Sequence, residues 1–143
     1  MDSLFTKLNY KEGQTIFVLN SPDAFEPVLS TISAEIIVNK EIKPNDIVEF
    51  ILIFATKKNE LEAAIKLVSN NLQGDAIVWA AYPKGTSKKY TCDFNRDTSW
   101  KIFAPYNMMG VRQISIDDDW SALRFRKVEF IKSEKRRNEL GIR

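Results

Sequence analysis

The chain of 143 residues contains no histidine and a single cysteine, Cys92. Without histidine there is no imidazole for general acid–base catalysis, for a Ser–His or Cys–His pair, or for histidine metal ligation. One cysteine excludes an intramolecular disulfide and a thiolate metal site built from this chain alone. We expect Cys92 to be a small, half-buried side chain, with a reactive thiol as the alternative.

Long apolar segments are also missing, and glycine is scarce. Apolar runs such as residues 50–55 fall far short of the ~20 residues that a membrane-spanning helix needs. Residues 1–7 lack the basic start and apolar core of a signal peptide. These patterns predict a cytoplasmic protein with no membrane partner. Among the five glycines, Gly85 precedes Thr86 without the glycine frame and Lys-Ser/Thr order of a phosphate-binding P-loop.

The length and composition of the chain suit one globular domain. An apolar content of 44% and a charged content of 28% are ordinary for a folded protein of this size. The net charge of +2 conceals an asymmetry, because residues 124–143 carry eight Arg or Lys against three Glu. We predict one domain over residues 1–131 and a basic, flexible tail over 132–143. The tail is expected to be solvated, with contact to an anionic partner as the alternative.

The hydrophobic pattern alternates between buried strands and amphipathic helices. We predict six strands, at residues 15–19, 34–38, 47–55, 75–82, 111–117 and 123–131. We predict one helix starting at Pro22, one over 57–73 that Gly74 stops, and one over about 93–109 that Pro105 interrupts.

This order of elements predicts a three-layer, Rossmann-like α/β domain with a mostly parallel sheet and a C-terminal antiparallel hairpin. One connection is unusually short. Residues 39–46 must join the second strand to the third, whereas parallel crossovers usually take a dozen residues or more. Eight extended residues span roughly 27 Å, so we expect them to cross a short strand without forming a helix.

Four segments carry a resemblance to known proteins: Asn20-Ser21-Pro22 after the first strand, and residues 55–61, 78–84 and 117–125. Through them the chain resembles an uncharacterised bacterial family of short proteins, known only as a domain of unknown function. More distantly, it is similar to a trimmed Rossmann-like methyltransferase of the class that binds S-adenosylmethionine. The resemblance implies the same fold. It implies no reaction, because the family has no established activity.

The chain departs from true methyltransferases in two places. Those enzymes follow their first strand with a glycine-rich turn, and an acidic residue at the end of their second strand holds the ribose hydroxyls. Here residues 20–23 contain no glycine, and Pro22 removes a backbone donor. Val38-Asn39-Lys40 stands at the end of the second strand, and Glu41 comes slightly later. We therefore expect no cofactor, S-adenosylmethionine included, and no catalytic residue. The leading interpretation is a non-catalytic binding or regulatory module.

An alternative function follows from the polar loops of the predicted sheet. The carboxyl ends of parallel strands meet at one edge, where ligands bind. We name the polar residues after the first, third and fourth strands the carboxyl-edge rim: Asn20, Ser21, Thr56, Lys57, Lys58, Lys84, Thr86, Ser87, Lys88 and Lys89. Helix N-termini there would add partial positive charge and free backbone donors. The rim predicts an enzyme or sensor for an anionic small molecule, unless its lysines are simply solvated.

The remaining motifs carry weaker signals. Residues 117–119 are three aspartates, which we interpret as a polar hairpin turn, with magnesium binding as the alternative, so no metal site is predicted. Trp79 and Trp100 are expected in the core. Trp120 is expected to pack under a loop, or else to mark a contact surface. Weak nucleic-acid binding through the basic tail and the rim is a third hypothesis, which a pI near 8.6 does not favour. The oligomeric state is not predicted.

Overall fold

The computed structural model describes residues 3–131, so the basic tail predicted over 132–143 lies outside it. Its helices are α1 (Ser3–Lys7), α2 (Glu26–Ile32), α3 (Lys58–Val68) and α4 (Arg96–Phe103). Its strands are β1 (Ile16–Leu19), β2 (Val38–Asn39), β3 (Val48–Phe54), β4 (Leu72–Pro83), β5 (Met108–Ser115) and β6 (Trp120–Lys127). Within residues 3–131, every helix is too short or too polar to cross a membrane.

The six strands form one sheet in the order β2-β1-β3-β4-β6-β5. The pairs β1–β2, β1–β3 and β3–β4 are parallel, and β6 is antiparallel to both of its neighbours. This arrangement confirms the predicted α/β class, with a mostly parallel sheet and a C-terminal antiparallel hairpin. The second strand of the hairpin, β6, pairs with β4, and the first strand, β5, is the edge strand of the sheet.

The second strand is shorter and later than predicted. Its expected range of 34–38 is wrong because the chain leaves α2 through another turn, in which the N–H groups of Glu35 and Ile36 both donate to the carbonyl of Ile32 at 3.0 Å. Pairing with β1 then involves only Val38 and Asn39. Residues 40–47 pass from one side of β1 to the other without a helix, which confirms the short crossing.

The ends of α3 and α4 also differ from the prediction. Helix α3 ends at Val68, and after one 3-10 turn the chain enters β4 at Leu72. Gly74, predicted to stop the helix, instead has a φ of +59° inside β4, where the pairing with β3 shifts register. It therefore marks a bulge. Pro105 lies in a 3-10 turn after α4, and β5 starts shortly afterwards at Met108.

Helices cover both faces of the sheet. Helices α1 and α2 pack on one face, and α3 and α4 pack on the other. The sequence pattern missed α1, which has only five residues, yet Phe5 within it and Leu8 directly after it are both fully buried. The indole Nε1 of Trp79 donates to the carbonyl of Leu8 at 2.8 Å, and this confirms Trp79 as a core residue. Trp100 was expected in the core as well, which is wrong. It is 46% exposed, because α4 packs through Ile102 and Phe103 instead.

Candidate functional site

The carboxyl ends of β1, β3 and β4 lie side by side at one edge of the sheet. Leu19 pairs with Ile53, and Phe54 pairs with Ala81, so β1 and β3 end nearly level, while β4 continues to Pro83 at the same edge. The loops after β3 and β4 are joined directly, since the N–H of Asp93 donates to the carbonyl of Thr56 at 3.2 Å. The topology therefore brings the three loops of the carboxyl-edge rim to the same edge.

The turn after β1 has the backbone shape of a glycine turn without containing glycine. Asn20 has a φ of +59°, in the left-handed region that most side chains avoid. Asparagine tolerates this region better than other non-glycine residues. The absence of glycine from residues 20–23 thus changes which atoms line the turn but does not abolish its conformation.

This turn makes a specific stability prediction. Replacing Asn20 with alanine is expected to lower the free energy of unfolding by about 1 kcal/mol, because alanine pays the full cost of left-handed backbone. Asn20→Gly should leave stability unchanged or slightly higher. Both variants remove the same exposed amide side chain, so urea denaturation of the pair isolates the backbone effect. Equal stabilities of the two variants would refute this explanation.

An ion pair lies between the ends of β1 and β2. The ammonium of Lys40, directly after β2, donates to both carboxylate oxygens of Glu26 on α2 at 2.6 Å. The hydroxyl of Ser21 donates to the same carboxylate at 3.2 Å. The hydrogen bond from Lys40 is the main cause that holds the pKa of Glu26 below its usual value. The rim residue Ser21 therefore faces a carboxylate that already has a cationic partner.

The N-terminus of α3 does not offer the free backbone donors that the rim prediction assumed. One carboxylate oxygen of Glu60 accepts the N–H groups of Thr56 at 3.1 Å and Lys57 at 3.0 Å. The N–H of Lys58 donates to Asp93. The bond from the N–H of Thr56 is the main cause that lowers the pKa of Glu60. The expectation is corrected here because two carboxylates already occupy these donors, while the side chains of Lys57 and Lys58 are exposed.

The loop after β4 divides the rest of the rim into two groups. The ammonium of Lys84 donates to the hydroxyl of Ser115 at 2.7 Å, and the hydroxyl of Ser87 donates to Asp119 at 2.9 Å. These two side chains are thus tied to the β5–β6 hairpin. The other three rim residues of this loop are exposed to solvent: Thr86, Lys88 and Lys89.

The aspartates of the hairpin form a turn rather than a metal cluster. One carboxylate oxygen of Asp117 accepts the N–H groups of Asp119 and Trp120, both at 2.8 Å. This is the polar turn predicted from the sequence. Over the described part of the chain, no three His, Cys, Asp or Glu side chains are grouped as metal ligands would be.

A cleft of about 550 Å³ lies between the loop after β4 and the start of α4. Its residues include Lys84 and Ser87 of the rim, together with Tyr90, Cys92 and Asn95. We name it the β4–α4 cleft. The thiol of Cys92 is half-buried, as expected. Burial is the main cause that raises its pKa, which favours the protonated, less reactive form.

The sequence analysis missed most of this cleft because it placed the start of α4 near residue 93. The helix starts at Arg96, and the carboxamide oxygen of Asn95 accepts the N–H of Thr98 at 2.9 Å. The hydroxyl of Thr98 accepts the N–H of Asn95 at 2.9 Å in return. This reciprocal cap, readable as Asn-x-x-Thr, signals a long loop before the helix and would have located the cleft.

A row of aromatic rings packs beneath the loops at the carboxyl edge of the sheet. Phe25 packs on Phe54 with ring centroids 4.9 Å apart, and Phe54 contacts Trp120 at 5.1 Å. Trp120 in turn contacts Tyr90 of the β4–α4 cleft at 5.0 Å. Trp120 is only 4% exposed, so the expectation that it packs under a loop is confirmed. The row joins the turn after β1 to the wall of the cleft.

Comparison with solved structures shows which fold this is. A SAM dependent methyltransferase from Aquifex aeolicus superposes with a TM-score of 0.60 and 12% identity, covering 88% of each chain. The ribosomal protein L11 methylase from Lactobacillus delbrueckii gives 0.55 and 9%, over 87% of this chain and 76% of the other. The fold is methyltransferase-like.

A third structure with the methyltransferase-like fold carries a ligand. The N-methyltransferase NodS from Bradyrhizobium japonicum, in complex with S-adenosyl-L-homocysteine, gives a TM-score of 0.51 and 11% identity, over 80% of this chain and 67% of the other. At these identities the likeness establishes the fold alone. No protein-family model matches the chain, and no curated protein matches it either.

Proposed function

We propose that this chain is a non-catalytic binding or regulatory module on a methyltransferase-like scaffold, with its ligand in the β4–α4 cleft. The observation that carries the proposal is the ion pair between Lys40 and Glu26. Methyltransferases of the kind this chain resembles place an acidic residue at the end of the second strand, where it accepts hydrogen bonds from the ribose. Here β2 ends at Asn39, a neutral residue, and Lys40 follows it directly. An ammonium group donates hydrogen bonds but accepts none, and no carboxylate stands at the end of this strand.

The neighbouring carboxylates do not replace the missing acidic residue. The carboxylate of Glu26 is already bonded to Lys40 and Ser21, and Glu41 lies beyond the end of β2 as an exposed residue. On the other side, Pro22 has no backbone N–H to offer. The residues around the turn after β1 therefore fit S-adenosylmethionine poorly, although the left-handed backbone at Asn20 is that of a glycine turn.

The β4–α4 cleft is the better place for a ligand at this edge. Its volume of about 550 Å³ lies within the usual range of small-molecule sites. Lys84, whose ammonium donates to Ser115, supplies a positive charge near one end of the cleft. Tyr82 and Phe94, with ring centroids 5.8 Å apart, supply an aromatic wall. This combination suits a small molecule with an anionic group and an apolar body. The exposed lysines Lys57, Lys58, Lys88 and Lys89 add positive charge at the same edge.

The first experiment tests the loss of the cofactor site. We expect isothermal titration calorimetry to detect no saturable binding of S-adenosylmethionine or S-adenosylhomocysteine, and radiolabelled S-adenosylmethionine to transfer no methyl group. An active methyltransferase of the same fold, assayed in parallel, verifies the reagents. Saturable binding of either compound, or any methyl transfer, would refute the proposal that the scaffold has lost its cofactor.

The second experiment tests the cleft. A thermal-shift screen of phosphorylated and carboxylated small molecules should find a ligand that stabilises the protein, since a ligand at a hundredfold excess over its Kd adds about 2.7 kcal/mol. Lys84→Ala should abolish that shift, whereas Lys66→Ala, on the exposed face of α3, should retain it. A shift that survives Lys84→Ala but is lost in the double variant Lys57→Ala/Lys58→Ala would instead favour a sensor or enzyme at the rest of the rim.

A further inference from the structure

A second cleft lies at the opposite, amino edge of the parallel sheet. It has a volume of about 460 Å³ and is bounded by the segment after α1, the start of β4 and the end of β6. Arg124 and Arg126 of β6 line it, together with Lys11, Asn9 and Asp75. We name it the arginine cleft. None of these residues belongs to the carboxyl-edge rim or to the β4–α4 cleft.

Asp75 is the one carboxylate among the described residues that line this cleft, and Arg126 bonds to both of its oxygens. The Nε of Arg126 donates to both carboxylate oxygens of Asp75, at 2.9 and 3.1 Å, and its Nη2 donates to one of them at 2.6 Å. These hydrogen bonds are the main cause that holds the pKa of Asp75 below its usual value. Asp75 therefore forms its ion pair with Arg126, and its charge also acts on Arg124 and Lys11 from a greater distance. Among the described residues that line the cleft, the three cations Lys11, Arg124 and Arg126 face this one carboxylate.

Arg124 is the second arginine of this cleft, and it forms no ion pair among the described residues. Its Nε is buried, and among the described residues it has no hydrogen-bond partner. Burial is the main cause that lowers the pKa of Arg124. The nearby charges of Arg126 and Arg112 lower it further, and the charge of Asp75 offsets part of this effect. A guanidinium with a buried, unpaired donor costs free energy, so an acceptor in this cleft would stabilise it.

Arg112 increases the excess of positive charge. It lies directly opposite Arg124 in the pairing of β5 with β6, and like charges at directly opposed positions destabilise a sheet. The Nη1 of Arg112 donates to the neutral carboxamide oxygen of Asn9 at 3.4 Å. Asn9 has a φ of +63°, and its side chain faces both Arg112 and the cleft. Arg112 therefore stands beside the cleft, on the strand next to Arg124 and bonded to the lining residue Asn9.

We propose that the arginine cleft binds the phosphate group of a small molecule. Guanidinium groups present planar pairs of N–H donors that match phosphate oxygens, and they remain charged when partly buried. A phosphate held by Arg124 and the neighbouring Arg112 would offset their like charges. It would accept from the Nε of Arg124 once that side chain turns the donor toward the cleft. The volume of the cleft leaves room for the rest of a small molecule beside the phosphate. This site is independent of the proposed function at the carboxyl edge.

The test compares ribose 5-phosphate with ribose, using calorimetric titration at constant ionic strength. We expect saturable binding of ribose 5-phosphate, competition by inorganic phosphate, and no binding of ribose. Arg124→Gln and Arg112→Gln should each weaken the affinity by about 10- to 100-fold, the usual worth of a charge-assisted hydrogen bond. Arg112 is exposed, so its variant keeps the core intact. Lys66→Gln, on the other face of the sheet, is the matched control and should bind normally.

Three outcomes would overturn the proposal. The first is no binding of either phosphate compound, and the second is equal competition by acetate, which would indicate a general anion effect. The third is binding of a short RNA in the absence of any binding of ribose 5-phosphate, which would favour a nucleic-acid surface. A thermal melt without ligand gives an independent check: Arg124→Gln should melt at the same or a higher temperature than the wild type, because repulsion is removed. A lower melting temperature would show that Arg124 is structural.

Discussion

Replacing Trp79 with phenylalanine is expected to lower the free energy of unfolding by about 2–4 kcal/mol. The indole N–H donates to the carbonyl of Leu8, and both residues are fully buried. Phenylalanine would leave that carbonyl without its partner at a cost of about 1–3 kcal/mol, and the smaller ring adds a cavity. Because Leu8 follows α1, the loss should also weaken the docking of α1 on the sheet. Urea denaturation followed by far-UV circular dichroism measures the effect.

Trp120 provides the matched control for this prediction. It is also buried on the same face of the sheet, but its Nε1 has no hydrogen-bond partner within residues 3–131. In Trp120→Phe the lost ring area is offset by removal of a buried, unsatisfied donor, so the change should stay within about 1 kcal/mol. Equal losses for the two variants would mean that ring volume alone, and not the bond to Leu8, determines the stability at Trp79.

The second large effect is expected at Phe54, in the aromatic row beneath the carboxyl edge. Its side chain is 1% exposed and packs between Phe25 and Trp120. Truncation to alanine removes both ring contacts and leaves a cavity, which typically costs 3–5 kcal/mol, or about 4 here. The loss should appear as a lower urea midpoint. The slope of the unfolding free energy against urea concentration should not change, because the variant exposes nearly the same area on unfolding as the wild type.

Trp100→Ala controls for the removal of an aromatic ring as such. Trp100 is 46% exposed on α4, so its truncation should cost well under half as much as Phe54→Ala. A loss of similar size in the two variants would contradict the packing described for α4. A loss of less than about 1 kcal/mol for Phe54→Ala would contradict the role of the aromatic row as a support of the edge.

The sheet was largely predictable because its central strands are continuous apolar runs. Strand β3, buried at nearly every position, has the composition of a strand covered on both faces. Elements that depend on few residues were not predictable. Helix α1 is too short to show a helical period. Gly74 follows an amphipathic segment, as a helix-stopping residue does, and only the pairing of β4 with β3 shows that it lies in a bulge.

The candidate sites were predictable only to the level of the sheet edge. The strand order places the rim loops together, but the sequence does not reveal which backbone donors are already bonded. The N–H of Lys58 is occupied by Asp93, a residue 35 positions away. Similarly, Arg112 and Arg124 become neighbours only because β6 returns beside β5. Such long-range pairings decide which charged groups and donors lack a partner. The local sequence pattern does not show them.

The position of β6 between β4 and β5 has a consequence for how the protein is made. While the ribosome has delivered only the residues up to the end of β5, the backbone of β4 lacks its second neighbour, and it is among the most apolar segments of the chain. An open apolar edge of this kind invites association with other chains. The last strand described therefore protects the nascent domain, and truncation before Trp120 should produce aggregates rather than a smaller folded protein.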